Sequence, residues 1–167
     1  MLSQKRHCSR NDRLLQECYT WARKGAPDLV NCFRLLEHTA DIGIEAIADS
    51  REGLVEQSVY GLRKVLFGEF EGRPLEKRQV AADGHTPEET LVNWLNELLF
   101  LMEARRFLPV KVEVQVFSDT DISASVTGEN VDPDEHPLRH EVKGVTHHQT
   151  MVGCDQQGWR AHLYLDL

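Results

Sequence analysis

Several things are missing from this 167-residue sequence. No apolar run approaches the ~20 residues that a membrane-spanning helix needs, so no membrane association is expected. The opening segment, MLSQKRHCSRNDR, is basic but has no apolar stretch, and so does not read as a secretory leader. The four cysteines are Cys8, Cys18, Cys32 and Cys154; none forms a CxxC pair, and three fall in the first fifth of the chain. That argues against a disulfide framework or a zinc site and for a reducing, cytoplasmic setting. An excess of positive charge is missing too: 19 Lys and Arg stand against 27 Asp and Glu, for a net charge of −8 and a pI of about 5.5. A free-standing nucleic-acid binder needs a basic footprint to displace phosphate counterions, so no strong direct nucleic-acid binding is expected. A protein partner that handles nucleic acid itself stays open. There is no phosphate-cradling glycine loop, no GxSxG, no HExxH and no EF-hand loop. These absences weigh against an enzyme working alone.

The chain that is present divides in two. Residues 1–31 read as an appendage, in which Leu14, Leu15, Cys18, Trp21 and Ala22 have helical spacing and KGAPD supplies a stop. Residues 32–167 read as one domain, long enough to bury its own core. FRLLEHTADIGIEAIA predicts strand, turn and strand, with Ile42, Ile44, Ala46 and Ala48 alternating with Gly43, Glu45 and Ile47. Leu54, Val55, Val59, Leu62, Val65 and Leu66 make one helical stripe, with Ser50 as its N-cap. After the GEFEGRP loop and a short RQVAA strand comes TPEETLVNWLNELLFLMEA, the clearest helix. Thr86 caps it, Pro87 takes the first position, Glu89 closes a capping box, and Leu91, Leu95, Leu98, Leu99 and Met102 form the stripe. The period then switches to two. VKVEVQVF puts Val110, Val112, Val114 and Val116 on one face, DISASVTGEN alternates into a glycine turn, and EVKGVTHHQTMVG and GWRAHLYLDL complete four or five strands. The fold class is α+β: a compact single domain, two amphipathic helices on a largely antiparallel sheet or sandwich system.

Chemistry concentrates in a few places. The chain ends in HLYLDL, where Leu163, Leu165 and Leu167 share one face of a strand and Asp166 lies next to the last residue's own carboxylate. Unpaired, such neighbours repel, and a hard cation with oxygen ligands removes that cost. A solvated, frayed terminus is the ordinary alternative, but the apolar strand around it looks tied down. In HTAD, His38, Thr39 and Asp41 crowd a turn; they either make an Asx- or Thr-type turn or supply a carboxylate, Asp41, oriented by His38. Lys143 reads as a strand lysine that either faces solvent or presents an ammonium to a phosphate or carboxylate. His147 and His148, adjacent on a strand, should be one exposed and one packed. Glu97 is either a solvent-facing carboxylate at the edge of the stripe or a buried, paired one.

LLEHTADIGI, LVNWLNELLFL, EVKGVTHH and GWRAHLYLDL, in that order and spacing, resemble the archease family over roughly residues 33 to 167. The resemblance implies an α+β protein that is not itself an enzyme but an activator of an RtcB-type RNA ligase. That ligase joins RNA ends bearing a 3′-phosphate or 2′,3′-cyclic phosphate to a 5′-hydroxyl, using GTP and divalent metal. The family promotes guanylylation of the ligase and its multiple turnover, in tRNA splicing or RNA repair. The resemblance also implies a divalent-metal site, described as calcium, with magnesium or manganese as alternatives; its ligands match Asp41, Asp166 and Leu167 here. Lys143 matches a lysine important for partner activation, and His38 joins it as a candidate for that role. Gly144 stands where the family usually has alanine, His147 where an aromatic is usual, and Leu167 where isoleucine or valine is more usual; none of these touches Asp41, Asp166 or Lys143. The rival readings are a metal-dependent phosphohydrolase using the same carboxylates, and a general protein chaperone or modulator of RNA modification.

Overall fold

A computed structural model describes residues 31–37, 41–155 and 158–167; the expected appendage helix and residues 38–40 of the HTAD turn lie outside them. Local signals account for both helices. Thr86 sits in extended backbone and its hydroxyl accepts the Glu89 N–H at 3.2 Å, with Pro87 next, so α2 (Pro87–Ala104) starts where its sequence says. The Glu89 carboxylate reaches back to the His85 N–H at 3.0 Å, one residue beyond the usual capping box. Ser50 caps α1 (Arg51–Phe67) through the Gly53 N–H, and Gly68 ends it with φ 76°, a conformation that favours glycine.

Around the helices run β1 (Cys32–Glu37), β2 (Ile42–Ala48), β3 (Glu76–Asp83), β4 (Phe107–Phe117), β5 (Asp121–Asn130), β6 (Gly144–Asp155) and β7 (Gly158–Asp166). They form two antiparallel sheets, ordered β1-β2-β7-β6 and β3-β5-β4. Each helix touches both sheets: α1 packs on β2, β1, β7 and β4, and α2 on β6, β3, β4 and β5. The core sits around them. Ile44, Leu54, Leu62, Leu91, Leu95, Leu98 and Leu163 are buried, and the indole of buried Trp94 donates to the Val80 carbonyl at 3.1 Å, so its polar atom is satisfied.

The structure departs from the alternation pattern in three places. β4 has register irregularities between Pro109 and Lys111 and between Val114 and Val116. Each turns the following side chains, and so Val112 is buried while Val116 is exposed. Gly128 is not a turn glycine: β5 runs on to Asn130, and Gly128 sits where the chain passes close to Leu108. Lys143 lies just before β6 rather than inside a strand.

A second polar feature holds the loop after β5. Glu129 is only 3% exposed. Its carboxylate accepts the Arg73 main-chain N–H and Nε–H, each at 2.8 Å, and the Nε2 of buried His136 lies 3.8 Å away. The Arg73 main-chain N–H, then its guanidinium, hold the Glu129 carboxyl below its ordinary range against the opposing push of burial. The folded value is depressed, so the contribution is fully present above the unfolded carboxyl range and is lost as the pH falls through the folded value. Glu129→Gln is expected to lower stability at neutral pH by about 2 kcal/mol. It should also flatten the loss of melting temperature on acidification, as thermal melts from pH 7 down to 3 will show.

Candidate functional site

The sheet register builds the site. β7 lies between β2 and β6. Ile42 pairs with Leu165, so carrying the antiparallel register on by one place sets Asp41 opposite Asp166. Residues so opposed have Cα atoms about 4.5–5.5 Å apart. On the other flank Gly144 pairs with Asp166, which brings Lys143 level with Leu167. The Lys143 N–H donates to the Asp166 carbonyl at 2.8 Å, and its Nζ donates to the main-chain oxygen of Leu167 at 2.6 Å. Leu163 and Leu165 are buried, and the alternate residue Asp166 is exposed, as are Asp41 and Lys143. The structure therefore collects Asp41, Asp166, Leu167 and Lys143 at one open end of the sheet. His38 lies outside the described residues.

Asn96 holds this end in place, and sequence reasoning missed it. β6 is an edge strand among the described residues, so the outward main-chain groups of Val145 have no described strand to pair with. The Asn96 side chain takes the place of that strand: Oδ1 accepts the Val145 N–H at 2.8 Å and Nδ2 donates to the Val145 carbonyl at 2.9 Å. Glu88 does the same for the Val152 N–H at 3.2 Å. An asparagine beside an apolar stripe carries no signal of such a partner. Glu97, the alternative candidate on this helix, is exposed.

The expectation for the histidine pair is corrected: His147 and His148 are both exposed. The β6–β7 register slips between Thr146 and Met151, so the intervening residues leave the pleat. The Thr146 hydroxyl accepts the His148 N–H at 3.0 Å, the Thr150 hydroxyl donates to the Thr146 carbonyl at 2.8 Å, and Gln149 takes φ 58°.

The donors at the open end are two carboxylates and a main-chain oxygen, a set suited to a hard divalent cation. Among the described residues, no three His, Cys, Asp or Glu side chains gather tightly enough to hold a metal by themselves. The set therefore fits such an ion only with oxygens added from water or a partner. Among the described residues at this end, none pairs a nucleophile with a base, and the donors there can place charge.

Comparison with known proteins gives one consistent answer. The model of a family described as "Archease protein family (MTH1598/TM1083)" matches residues 33–167. A protein of Methanosarcina mazei named Protein archease is 30% identical over 139 residues, covering 81% of this chain and 95% of its own. One of the same name from Pyrococcus abyssi is 33% identical over 136 residues, covering 78% and 95%. The solution structure of protein 1598 of Methanobacterium thermoautotrophicum superposes with a TM-score of 0.66 at 26% identity, covering 81% of this chain and 98% of that one.

Proposed function

This chain belongs to the archease family, and from that membership we propose that it is an accessory protein of an RtcB-type RNA ligase, not an enzyme in its own right. In this reading it promotes guanylylation of the ligase with GTP and repeated turnover in tRNA splicing or RNA repair. What supports the reading is the exposed end where the register of β2 and β7, carried on by one residue, sets Asp41 level with Asp166 beside the Lys143–Leu167 contact.

Asp41, Asp166 and Leu167 would hold a divalent cation, calcium first, with magnesium or manganese as alternatives. When bound, such an ion supplies positive charge of the kind that offsets phosphate oxygens during nucleotidyl transfer. The other contributions come from the chain itself. Lys143 ties Leu167 to the residue just before β6 by a charge-assisted hydrogen bond. Asn96 fixes the strand that follows Lys143. The exposed position lets the end enter a partner's cleft, and the net charge of −8 complements a cleft that binds RNA. No helix among the described residues is long and apolar enough to cross a membrane.

The test is ligation of 3′-phosphorylated RNA with the cognate ligase limiting, GTP and Mn²⁺ or Mg²⁺ present, with and without this protein. A several-fold rise in turnovers per ligase is expected. Unchanged turnover would overturn the accessory role.

A further inference from the structure

The outer face of the β1-β2-β7-β6 sheet carries a charge cluster that the carboxylate end does not use. Alternation sends Ile44, Ala46, Ala161 and Leu163 inward, where α1 packs with Gly61 against Ile44. It sends Arg34, Glu45, Arg160 and His162 to the other face. Glu45 is the centre of the cluster and is only 6% exposed. Arg34 Nη2 lies 2.6 Å from it, Arg160 Nη1 3.0 Å and His162 Nε2 3.2 Å.

A buried carboxylate needs one cationic partner to balance it. Glu45 has two guanidinia, both permanently charged, and an imidazole. Against Glu45 alone the two guanidinia leave one positive charge over, on a chain whose net charge is −8. The carboxylate grips these side chains from below, yet Arg34 remains 43% exposed and Arg160 36%. Each guanidinium has five N–H donors, so several point to water in a fixed plane. Held forks of this kind match phosphate oxygens.

The cluster and the carboxylate end lie on the same strip. Along β2 and β7, Glu45 and His162 are four residues from Asp41 and Asp166, with Gly43 and Tyr164 between them. At about 3.3 Å per residue the separation is about 13 Å. A cation shares oxygens within about 2.6 Å, so a phosphate at the cluster is not one that shares an ion at the carboxylate end. Two sites so far apart suit a strand with phosphates in series, not a mononucleotide.

We propose that Arg34, Arg160 and His162 form a binding site for one phosphate of an RNA strand lying along this face toward Asp41 and Asp166. The choice of RNA rests on the ligase-accessory reading; the phosphate chemistry rests on the cluster. One phosphate contact is a local and weak interaction, compatible with the lack of a broad basic footprint.

The probe is a fluorescently labelled, 3′-phosphorylated oligoribonucleotide, titrated by anisotropy at low salt into the full chain without ligase. Saturable, salt-sensitive binding is expected. Arg34→Gln and Arg160→Gln should each weaken it several-fold and flatten a parent slope of log affinity against log salt that is itself only about −0.7, the value for one phosphate on a single strand. Melting temperatures should stay near the parent's, since Glu45 keeps two partners in each variant. Lys77→Gln, on the other sheet, should bind as the parent does. Absence of binding, binding as tight as the parent's by both arginine variants, or capture of GTP in preference to the strand would each overturn the proposal. The ligation assay on the same proteins separates the two readings. Stimulation without strand binding removes only this site. Strand binding without stimulation removes only the accessory role.

Discussion

On the proposed accessory role, Asp166→Ala is expected to remove almost all stimulation of an RtcB-type ligase while leaving the protein folded. The Asp166 side chain is exposed, and its main-chain carbonyl, which the variant retains, is what accepts the Lys143 N–H. The substitution therefore opens no cavity and breaks no strand pairing, and surface changes of that kind usually stay within about 0.5 kcal/mol. Its effect falls on the site. Asp166 is one of two carboxylates set opposite each other, and the site has few oxygens to spare. Groups that only support a metal ligand cost about 10–100-fold when removed, and a direct ligand costs at least as much. Calorimetric titration with Ca²⁺ should show an affinity loss of at least about 100-fold, and multiple-turnover ligation should fall to the level of the ligase alone. Full stimulation by a folded Asp166→Ala protein would sink the assignment of this end as the working site.

Gly128→Ala should be the most damaging single methyl in the described structure. A Cβ at Gly128 would lie 2.0 Å from the Leu108 carbonyl oxygen and 2.9 Å from Phe107 Cζ. Leu108 and Phe107 are completely buried, and the obstructing atom is backbone, so no flexible side chain can swing aside. Relief requires β4 to move away from β5 next to its own irregularity at Pro109. The expected cost is on the order of 3 kcal/mol, near the top of the overpacking range. In a domain of this size that lowers the melting temperature by about 10 °C. Gly153→Ala is the internal control: its Cβ would meet nothing within 4 Å. A Gly128→Ala protein that melts with Gly153→Ala and the parent would show that β4 and β5 can separate at little cost.

Much of this architecture is legible in the sequence because its signals are local. Thr86, Pro87 and Glu89 announce a helix start within four residues, and the leucines behind them repeat at 3.6. The alternation of the last strand correctly sorts buried Leu163 and Leu165 from exposed Asp166. What escapes is set by distant partners. Nothing in VNWLNELL says that Asn96 will pair with the backbone of Val145. Nothing around Glu45 says that Arg34 and Arg160 will converge on it, because the three sit on different strands. Bulges escape as well: period-two reading assumes an unbroken pleat, and so it exposes the wrong faces at Val116 and at His147–His148. The family resemblance named the carboxylates, and the register explains why residues so far apart in sequence can act together.

The position of β7 has a kinetic consequence. The sheet is not assembled in chain order: β7, the last strand to be reached along the described chain, inserts between β2 and β6. Its pairing with β2 joins residues near opposite ends of the described sequence. Such contacts raise contact order and come late, because loop closure must be met before they stabilise anything. Asp41 and Asp166 become neighbours only when this long-range pairing is complete. A ligand that needs both therefore discriminates between finished and unfinished molecules.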